Sequence, residues 1–430
     1  MNVRIASLAA LALLGSGCRL APRSEVPPLP ELPDAFAAGT ARESSEADPG
    51  TETWWSGFGE PRLEAVIAEA LEHNHDLAAA TARLDQARAQ ARIAGADLSP
   101  LVTLNGNASK AKTVFVGLPI PGQGSVLTNR VTNYGVQLDV SWEADIWGRL
   151  GSLEAAALAD YAASTATAEG ARQSVAAQTA KAWFAWVAAS EQARLAKLTV
   201  ESLERSLDLL SGRRGDGLVA SSDVQRAAAA LAQARGALAA REGTRERSAR
   251  QLQVLLGRYP DGGGLEGGAR LPDAGPLPAP GVPATLLERR PDLVAARARL
   301  VAADERLDAA RAALLPRLTL NGSIGRSATK APDLTNPDLT AWSLVGGLLQ
   351  PIFGGGRLAA GADLADAVLR EAAESYAQSL LLACGEVESL LAIEDTLARQ
   401  LDSFEAAAEA ARRVSDLSNE RYLAGRLDLA

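Results

Sequence analysis

Residues 76–106 read DLAAATARLDQARAQARIAGADLSPLVTLNG, and residues 292–322 read DLVAARARLVAADERLDAARAALLPRLTLNG. The two stretches match at 16 of 31 positions with a constant offset of 216 and no gap. A repeat of that length decides the architecture, because each copy is one supersecondary unit built twice. The identities include Asp76-Leu77 with Asp292-Leu293, Ala82-Arg83-Leu84 with Ala298-Arg299-Leu300, and Thr103-Leu104-Asn105-Gly106 with Thr319-Leu320-Asn321-Gly322. Each copy runs from a helical pattern, through Pro100 or Pro316, into a strand pattern. Further along the offset falls to 208, where Gly148-Arg149-Leu150 meets Gly356-Arg357-Leu358, and Arg213 and Gly217 meet Arg421 and Gly425. The second copy therefore has a loop eight residues shorter.

Working outward, Glu60 to Leu98 is rich in Ala, Arg, Leu and Gln, and reads as one helix stopped by Pro100. Strict alternation follows. Val102, Leu104 and Ala108 share one face while Thr103, Asn105, Asn107 and Ser109 share the other; Tyr134, Val136, Leu138, Val140 and Trp142 alternate with Gln137, Asp139 and Ser141. The second copy supplies Leu318, Leu320 and Ile324 against Thr319, Asn321 and Ser323, then a less regular strand from Trp342 to Phe353. The strands are expected at about 100–112, 133–143, 316–328 and 340–353, joined by loops at 113–132 and 329–339. Segments of about nine to eleven residues suit tilted strands in a bilayer. Soluble hairpins with one wet face are the alternative, but Tyr134, Trp142, Trp147 and Trp342 lie near strand ends, where aromatic rings collect at bilayer interfaces.

Gly148 to Arg213 contains no proline over 66 residues, about 100 Å of helix at 1.5 Å per residue. Leu203, Leu207 and Leu210 keep the spacing of a packed seam, and the Ala-rich run from Ala227 to Ala240 allows close helix approach. A turn at Gly212 to Ser221 leads into a returning helix from Ser222 to Leu256, and a second long helix is expected from Arg357 to Leu423.

Composition excludes several functions. The 430 residues carry a net charge of −9, which argues against nucleic acid as a partner, since phosphate neutralisation by Lys and Arg supplies most of that affinity. The two histidines, His73 and His75, are two apart on a helical stretch and do not share a face, so no metal site is read there. Cys384 lies in an apolar run and reads as an inert thiol. Catalytic motifs are not visible, and Gly354-Gly355-Gly356, the nearest to a phosphate loop, sits where a strand must bend into a helix, as Gly148 does. The chain is not read as an enzyme and no cofactor is expected.

The N-terminus carries an address. Arg4 precedes an apolar run, Ile5 to Leu14, too short to span a bilayer, and Gly15-Ser16-Gly17-Cys18 follows. This resembles a bacterial lipoprotein signal, residues 1–17, with Cys18 bearing an S-diacylglycerol and an N-acyl chain; an ordinary signal peptide with an incidental cysteine is the alternative. Gly15 departs from the Leu or Val such signals prefer. Residues 18–53, with six prolines after the cysteine, read as a tether. The first repeat then occupies 54–256, a linker 257–284 and the second repeat 285–430.

Four membrane strands cannot close a barrel alone, and open edges in lipid leave unpaired backbone groups at several kcal/mol each. Three chains give twelve strands, an even number with room for water, whereas two give eight and too narrow a lumen. A homotrimer is expected, its polar channel lined by Thr103, Asn105, Asn107, Gln137, Asp139, Thr319, Asn321 and Ser323, and the helices continuing it as a tube.

Several motifs carry a resemblance. Trp54-Trp55 with Phe58, Pro61, Leu63, Ala70-Leu71 and Asn74 through Leu77; Asp145-Ile146-Trp147-Gly148-Arg149; Arg289-Arg290-Pro291-Asp292-Leu293; and the turns from Gly217 to Val224 and from Arg421 to Gly425 together resemble the outer-membrane factor family, the TolC-like channel-tunnels, and within it the lipoprotein branch that includes OprM and NodT. The resemblance implies an α plus transmembrane β fold and a trimeric twelve-stranded outer-membrane barrel continued by a periplasmic α-helical barrel. It implies a passive exit duct for efflux or secretion, anchored in outer-membrane lipid and working with a periplasmic adaptor and an inner-membrane pump of the RND type. It marks Gly217 and Gly425 as tip turns and places Asp223, with Ser222 beside it, opposite Tyr422 as a closing hydrogen bond between coils. Alternatively, Ser222 or Asp223 merely caps the helix it begins. One departure stands out. The family has a further helix after the second tip turn, bearing acidic residues that constrict the pore, whereas this sequence stops at Ala430; the C-terminal helix is read as truncated and no such ring is assigned. A periplasmic adaptor or a structural coiled-coil lipoprotein is the competing reading, the first needing a single hairpin within soluble domains and the second leaving the strands unexplained.

Overall fold

The computed structural model describes residues 28, 30–39, 53–116, 126–264, 271–272 and 283–423. Its main helices are α1 (Pro61–His73), α2 (His75–Ala96), α3 (Arg149–Gly215), α4 (Ser221–Leu255), α5 (Pro291–Ala312) and α6 (Arg357–Leu423). The strands are β1 (Leu101–Val116), β2 (Val126–Ala144), β3 (Arg317–Ala328) and β4 (Thr340–Leu349). The repeat is visible in this order, since α2-β1-β2-α3 recurs as α5-β3-β4-α6. Even the junctions match: Gly148 and Gly356 enter the long helices at φ 75° and 79°, a left-handed conformation that glycine adopts without steric cost.

The single helix expected from Glu60 to Leu98 is two, broken at Asn74. That residue is extended at ψ 124°. Its side-chain oxygen accepts from the backbone N–H groups of Asp76 (2.9 Å) and Leu77 (3.1 Å), capping α2, while its amide donates to the Leu255 carbonyl at the end of α4 (2.9 Å). A buried side chain that satisfies both helix ends outweighs the helical propensity around it.

All four strands form one antiparallel meander in the order β1-β2-β3-β4. The first hairpin is longer than expected, because one unbroken register runs from Leu101 opposite Ser141 to Val116 opposite Val126. Residues 113–116 and 126–132, expected in a loop, are therefore strand, with β-branched Thr113, Val114, Val126 and Thr128 suited to it. Conversely, β4 ends at Leu349 and not at Phe353, since Pro351 has no N–H to donate to a ladder.

The described residues divide into two compact units, one drawn from 85–164 and 295–377, the other from 30–84, 165–294 and 378–423. The first holds the sheet and a small core of Ala303, Leu307 and Leu369. The second holds the larger core, where Leu63, Ile67 and Ala70 of α1 meet Val175, Ala176, Trp183 and Val187 of α3 and Leu252 of α4, with Leu256 just beyond. Each large side chain buried there stabilises by about 1.5–3 kcal/mol. Edge-to-face rings seal it: Phe58 on Phe184 at 5.2 Å and Trp183 on Phe184 at 5.1 Å.

Candidate functional site

Cross-strand register sorts the sheet into two chemically different faces. On one, Thr103 pairs with Asp139, Asp139 with Ser323 and Ser323 with Ser343; Asn105 pairs with Gln137, Asn107 with Gly135, Ser141 with Asn321 and Glu143 with Thr319. All eight strand residues expected to line a channel, Thr103, Asn105, Asn107, Gln137, Asp139, Thr319, Asn321 and Ser323, thus share one face. On the other, Leu104 pairs with Leu138, Leu138 with Ile324 and Ile324 with Trp342, followed by Val140, Leu318, Leu320, Leu344 and Leu348 at equivalent positions. Most of these apolar side chains are left exposed by the described residues: Leu104 is 72%, Leu348 71% and Trp342 76% exposed.

Hydrogen bonds order the polar face. The Asp139 carboxylate accepts from the Asn105 amide at 2.6 Å and the Gln137 amide at 2.5 Å. Ser323 and Ser343 share a hydroxyl bond of 2.8 Å, and Ser327 donates to Asn133 at 2.5 Å. Gly135 leaves room for this order, because a Cβ there would lie 2.2 Å from Asn107 Oδ1. Ser141, read on that face from its alternation, joins the eight, and Asn133, Glu143, Ser327 and Ser343 belong to the same face but escaped sequence reading. Extending the two-residue period through the register would have found them.

Below the strands the chain turns sharply into α3. Arg149 grips Glu143 with two nitrogens at 2.9–3.1 Å, and Asp145 accepts from the N–H groups of Leu150 (3.0 Å) and Gly151 (2.7 Å), offsetting unpaired donors in the first turn of a helix. Trp147 is tied inward, its indole N–H donating to the Pro316 carbonyl at 2.7 Å, so its role at this junction is structural. Where α2 begins with Asn74, α5 begins after Arg290, whose guanidinium binds Asp292 (2.8 and 3.1 Å) and Glu386 (2.8 Å). The Arg290 bonds hold the Asp292 carboxyl below its ordinary range. Nearby, burial raises the Cys384 thiol, which packs against Leu293, Leu380 and Ala383.

The turn between α3 and α4 is built on Gly217. With φ 77°, its N–H donates to Arg214 (3.0 Å) while that of Leu218 donates to Arg213 (3.0 Å), the pair of bonds that closes a helix in a Schellman motif. Side-chain capping by Ser222 or Asp223 is not what starts α4: its N-cap is Ala220, with no side-chain cap bond. The helix begins at Ser221, which puts both residues inside the first turn, where the Asp223 carboxylate is taken by Arg226. Cys18, Gly425 and the Tyr422 side chain lie outside the described residues.

Comparison with known proteins agrees with this geometry. The family described as outer membrane efflux protein matches residues 66–258 and 282–428. The chain is 33% identical to the pyoverdine export outer membrane protein OpmQ of Pseudomonas putida over 87% of this chain and 79% of that protein. It is 29% identical to the probable outer membrane lipoprotein SilC of Salmonella typhimurium, over 94% of this chain and 85% of that one. Its structure superposes on the Campylobacter jejuni CmeC outer membrane channel with a TM-score of 0.86 and 25% identity, covering 96% of this chain and 87% of that one. A sheet apolar on one face and polar on the other, joined to long helices in a fold shared with a known outer membrane channel, has no place in an adaptor or a simple coiled coil. The chain belongs to the outer membrane efflux protein family and is an outer-membrane efflux channel of TolC-like fold.

Proposed function

We propose that three copies of the chain close their sheets into one twelve-stranded barrel, a passive exit duct for small molecules. The observation that carries this is the four-stranded meander with β1 and β4 each paired on one side only and with an uncovered apolar face. In lipid the open edges cost several kcal/mol per unpaired group, which closure between chains removes. The eight polar strand residues then face the lumen. The helices wall the periplasmic extension, and an exposed stripe on α6, Leu390, Ile393, Leu397, Leu401 and Phe404, advances by three and four residues as a coiled-coil seam does, which supports helix packing between copies. Energy for transport comes from an inner-membrane pump of the RND type joined through a periplasmic adaptor.

Cys18 is proposed as the lipidated N-terminus of the mature chain, a reading supported by the lipoprotein relative. Gly217 and Gly425 are proposed as the two turns at the periplasmic tip. Closure there involves Asp223, with Ser222 beside it: a carboxylate already held by Arg226 keeps lone pairs free to accept the Tyr422 hydroxyl of a neighbouring coil. Native mass spectrometry in detergent, with conductance in planar bilayers, tests the assembly. A single trimeric species that conducts is expected; stable folded monomers overturn the proposal.

A further inference from the structure

The two-residue alternation that sorts the sheet reverses near the end of the first hairpin. On the apolar face the sequence along β1 is Val102, Leu104, Gly106, Ala108 and then Lys110 and Lys112; along β2, read in the same direction, it is Trp142, Val140, Leu138, Val136, Tyr134 and then Thr132 and Arg130. The register holds through the change, with Tyr134 opposite Ala108, Thr132 opposite Lys110 and Arg130 opposite Lys112. From Val102 to Ala108 the apolar stretch spans about 20 Å at 3.3 Å per residue, close to the lipid-facing band of an outer-membrane barrel, about 25 Å tall. The cations begin where that band ends, past a tyrosine of the kind that marks the interface.

Charge makes the patch stand out. The chain is acidic overall, with 52 acidic residues against 43 Lys and Arg, yet no acidic residue occurs between Asp97 and Asp139. Lys110, Lys112 and Arg130 are therefore the charges at the far end of this hairpin among its described residues, and all three are exposed. Lys112 and Arg130 sit directly opposite each other, a like-charge pair that destabilises a ladder unless an anion lies between. Lys110 is two residues from Lys112 on the same face, about 7 Å away. Arg326, on the same face of β3, is spent differently: it donates to Thr340 Oγ1 (3.0 Å) and to the carbonyls of Leu334 (3.3 Å) and Thr335 (3.2 Å), holding its own loop.

Orientation follows from connectivity. Leu101 starts β1 shortly after α2 ends, and Ala144 ends β2 shortly before α3 starts. The cations thus lie at the strand ends away from the helices. With the helices in the periplasm, this is the external surface of the outer membrane, where the lipid headgroups are phosphorylated glycolipid. We propose that Lys110, Lys112 and Arg130 form a binding site for the phosphate groups of that outer-leaflet glycolipid, seated directly above the apolar band. The inference rests on the reading of the apolar face as lipid-facing. Each cation near an anionic surface contributes about 1 kcal/mol, so the three together are worth roughly a hundredfold in retention.

The test is native mass spectrometry of the purified full chain with bisphosphorylated lipid A, dephosphorylated lipid A and inorganic phosphate as separate probes. Retention of bisphosphorylated lipid A, falling roughly a hundredfold in a Lys110→Gln, Lys112→Gln, Arg130→Gln variant and preserved in a Lys110→Arg, Lys112→Arg, Arg130→Lys variant, supports the site. Equal retention of the dephosphorylated form, or equal binding of free phosphate, overturns it. If the glutamine variant does not assemble, the parent alone decides: its retention of bisphosphorylated lipid must fall with ionic strength while that of the dephosphorylated form does not. Alkaline washing of membranes separates the two levels. A chain released by alkali contradicts the lipid-facing sheet itself, whereas a chain that resists alkali but ignores phosphate contradicts this inference alone.

Discussion

Two glycines with the same backbone conformation have different reasons to be glycine. Gly217 (φ 77°) and Gly257 (φ 69°) each donate to the carbonyl three residues back, the next N–H reaching five back, and so each closes a helix in the same way. Around Gly217 there is open space, whereas a Cβ on Gly257 would lie 2.4 Å from the His73 carbonyl oxygen, beside the ion pair of Arg258 with Glu69. Gly217→Ala should therefore cost only the left-handed penalty, about 1–2 kcal/mol, seen as faster hydrogen exchange in the last turn of α3 with assembly intact. Gly257→Ala adds a backbone collision and should lower the yield of assembled protein; equal yields for the two variants would contradict this account. A second residue-scale prediction concerns acid. Arg290 holds the Asp292 carboxyl below its ordinary range, so the unfolded chain binds more protons than the folded one at low pH. The stability this supplies is complete above the unfolded value of about 3.9 and is lost as pH falls through the folded one. Circular-dichroism melts from about pH 5 down to pH 3 should show a smaller acid loss for Asp292→Asn than for the parent.

At the scale of elements, the sheet predicts opposite outcomes for neighbouring positions. Leu138 lies on the apolar face between Leu104 and Ile324, and Gln137 on the polar face opposite Asn105. An arginine facing lipid near the midplane costs about 2–4 kcal/mol, and one facing water costs little. Leu138→Arg should reduce the urea-resistant membrane fraction, and Gln137→Arg should leave it near the parent level; the reverse order would mean the faces are assigned backwards. Legibility in the sequence follows the same physics. Strand β3 was readable to within a residue, because Pro316 marks its start and the apolar alternation continues as far as Ile324. The far end of β1 and β2 was not, since apolar alternation reports burial and lapses at Lys110, while the backbone ladder needs no side-chain pattern. The break at Asn74 was hidden by helix-forming neighbours. Its signal lay in the other copy: Pro291 stands opposite His75 in the repeat, and proline favours the first position of a helix.

At the scale of the whole molecule, the sequence makes the duplication, the long helices and the need for partners legible. It does not show which polar residues carry charge into the lumen, because that depends on who neutralises whom. The charged residues on the described polar face of the strands are Asp139, Glu143 and Arg317. Glu143 is neutralised by Arg149 at 2.9 Å. Arg317 begins β3 six positions before Ser323, the partner of Asp139, about 20 Å away and twice the screening length of about 10 Å at 0.1 M salt. Asp139 therefore acts alone at its level, fixed by two amides, and three copies around the proposed lumen form a weak cation-attracting ring. At about 10 Å in water one charge is worth about 0.4 kcal/mol, a roughly twofold enrichment of cations and a similar depletion of anions. Asp139→Asn keeps the shape while removing the charge, so the trimer should assemble as before. Reversal potentials across planar bilayers in a KCl gradient near about 0.1 M should move toward zero, and the effect should vanish near about 1 M, where screening shortens to about 3 Å. A reversal potential unchanged at low salt would place the governing charge elsewhere in the duct, and a change that persists at high salt would mean the substitution altered the pore itself.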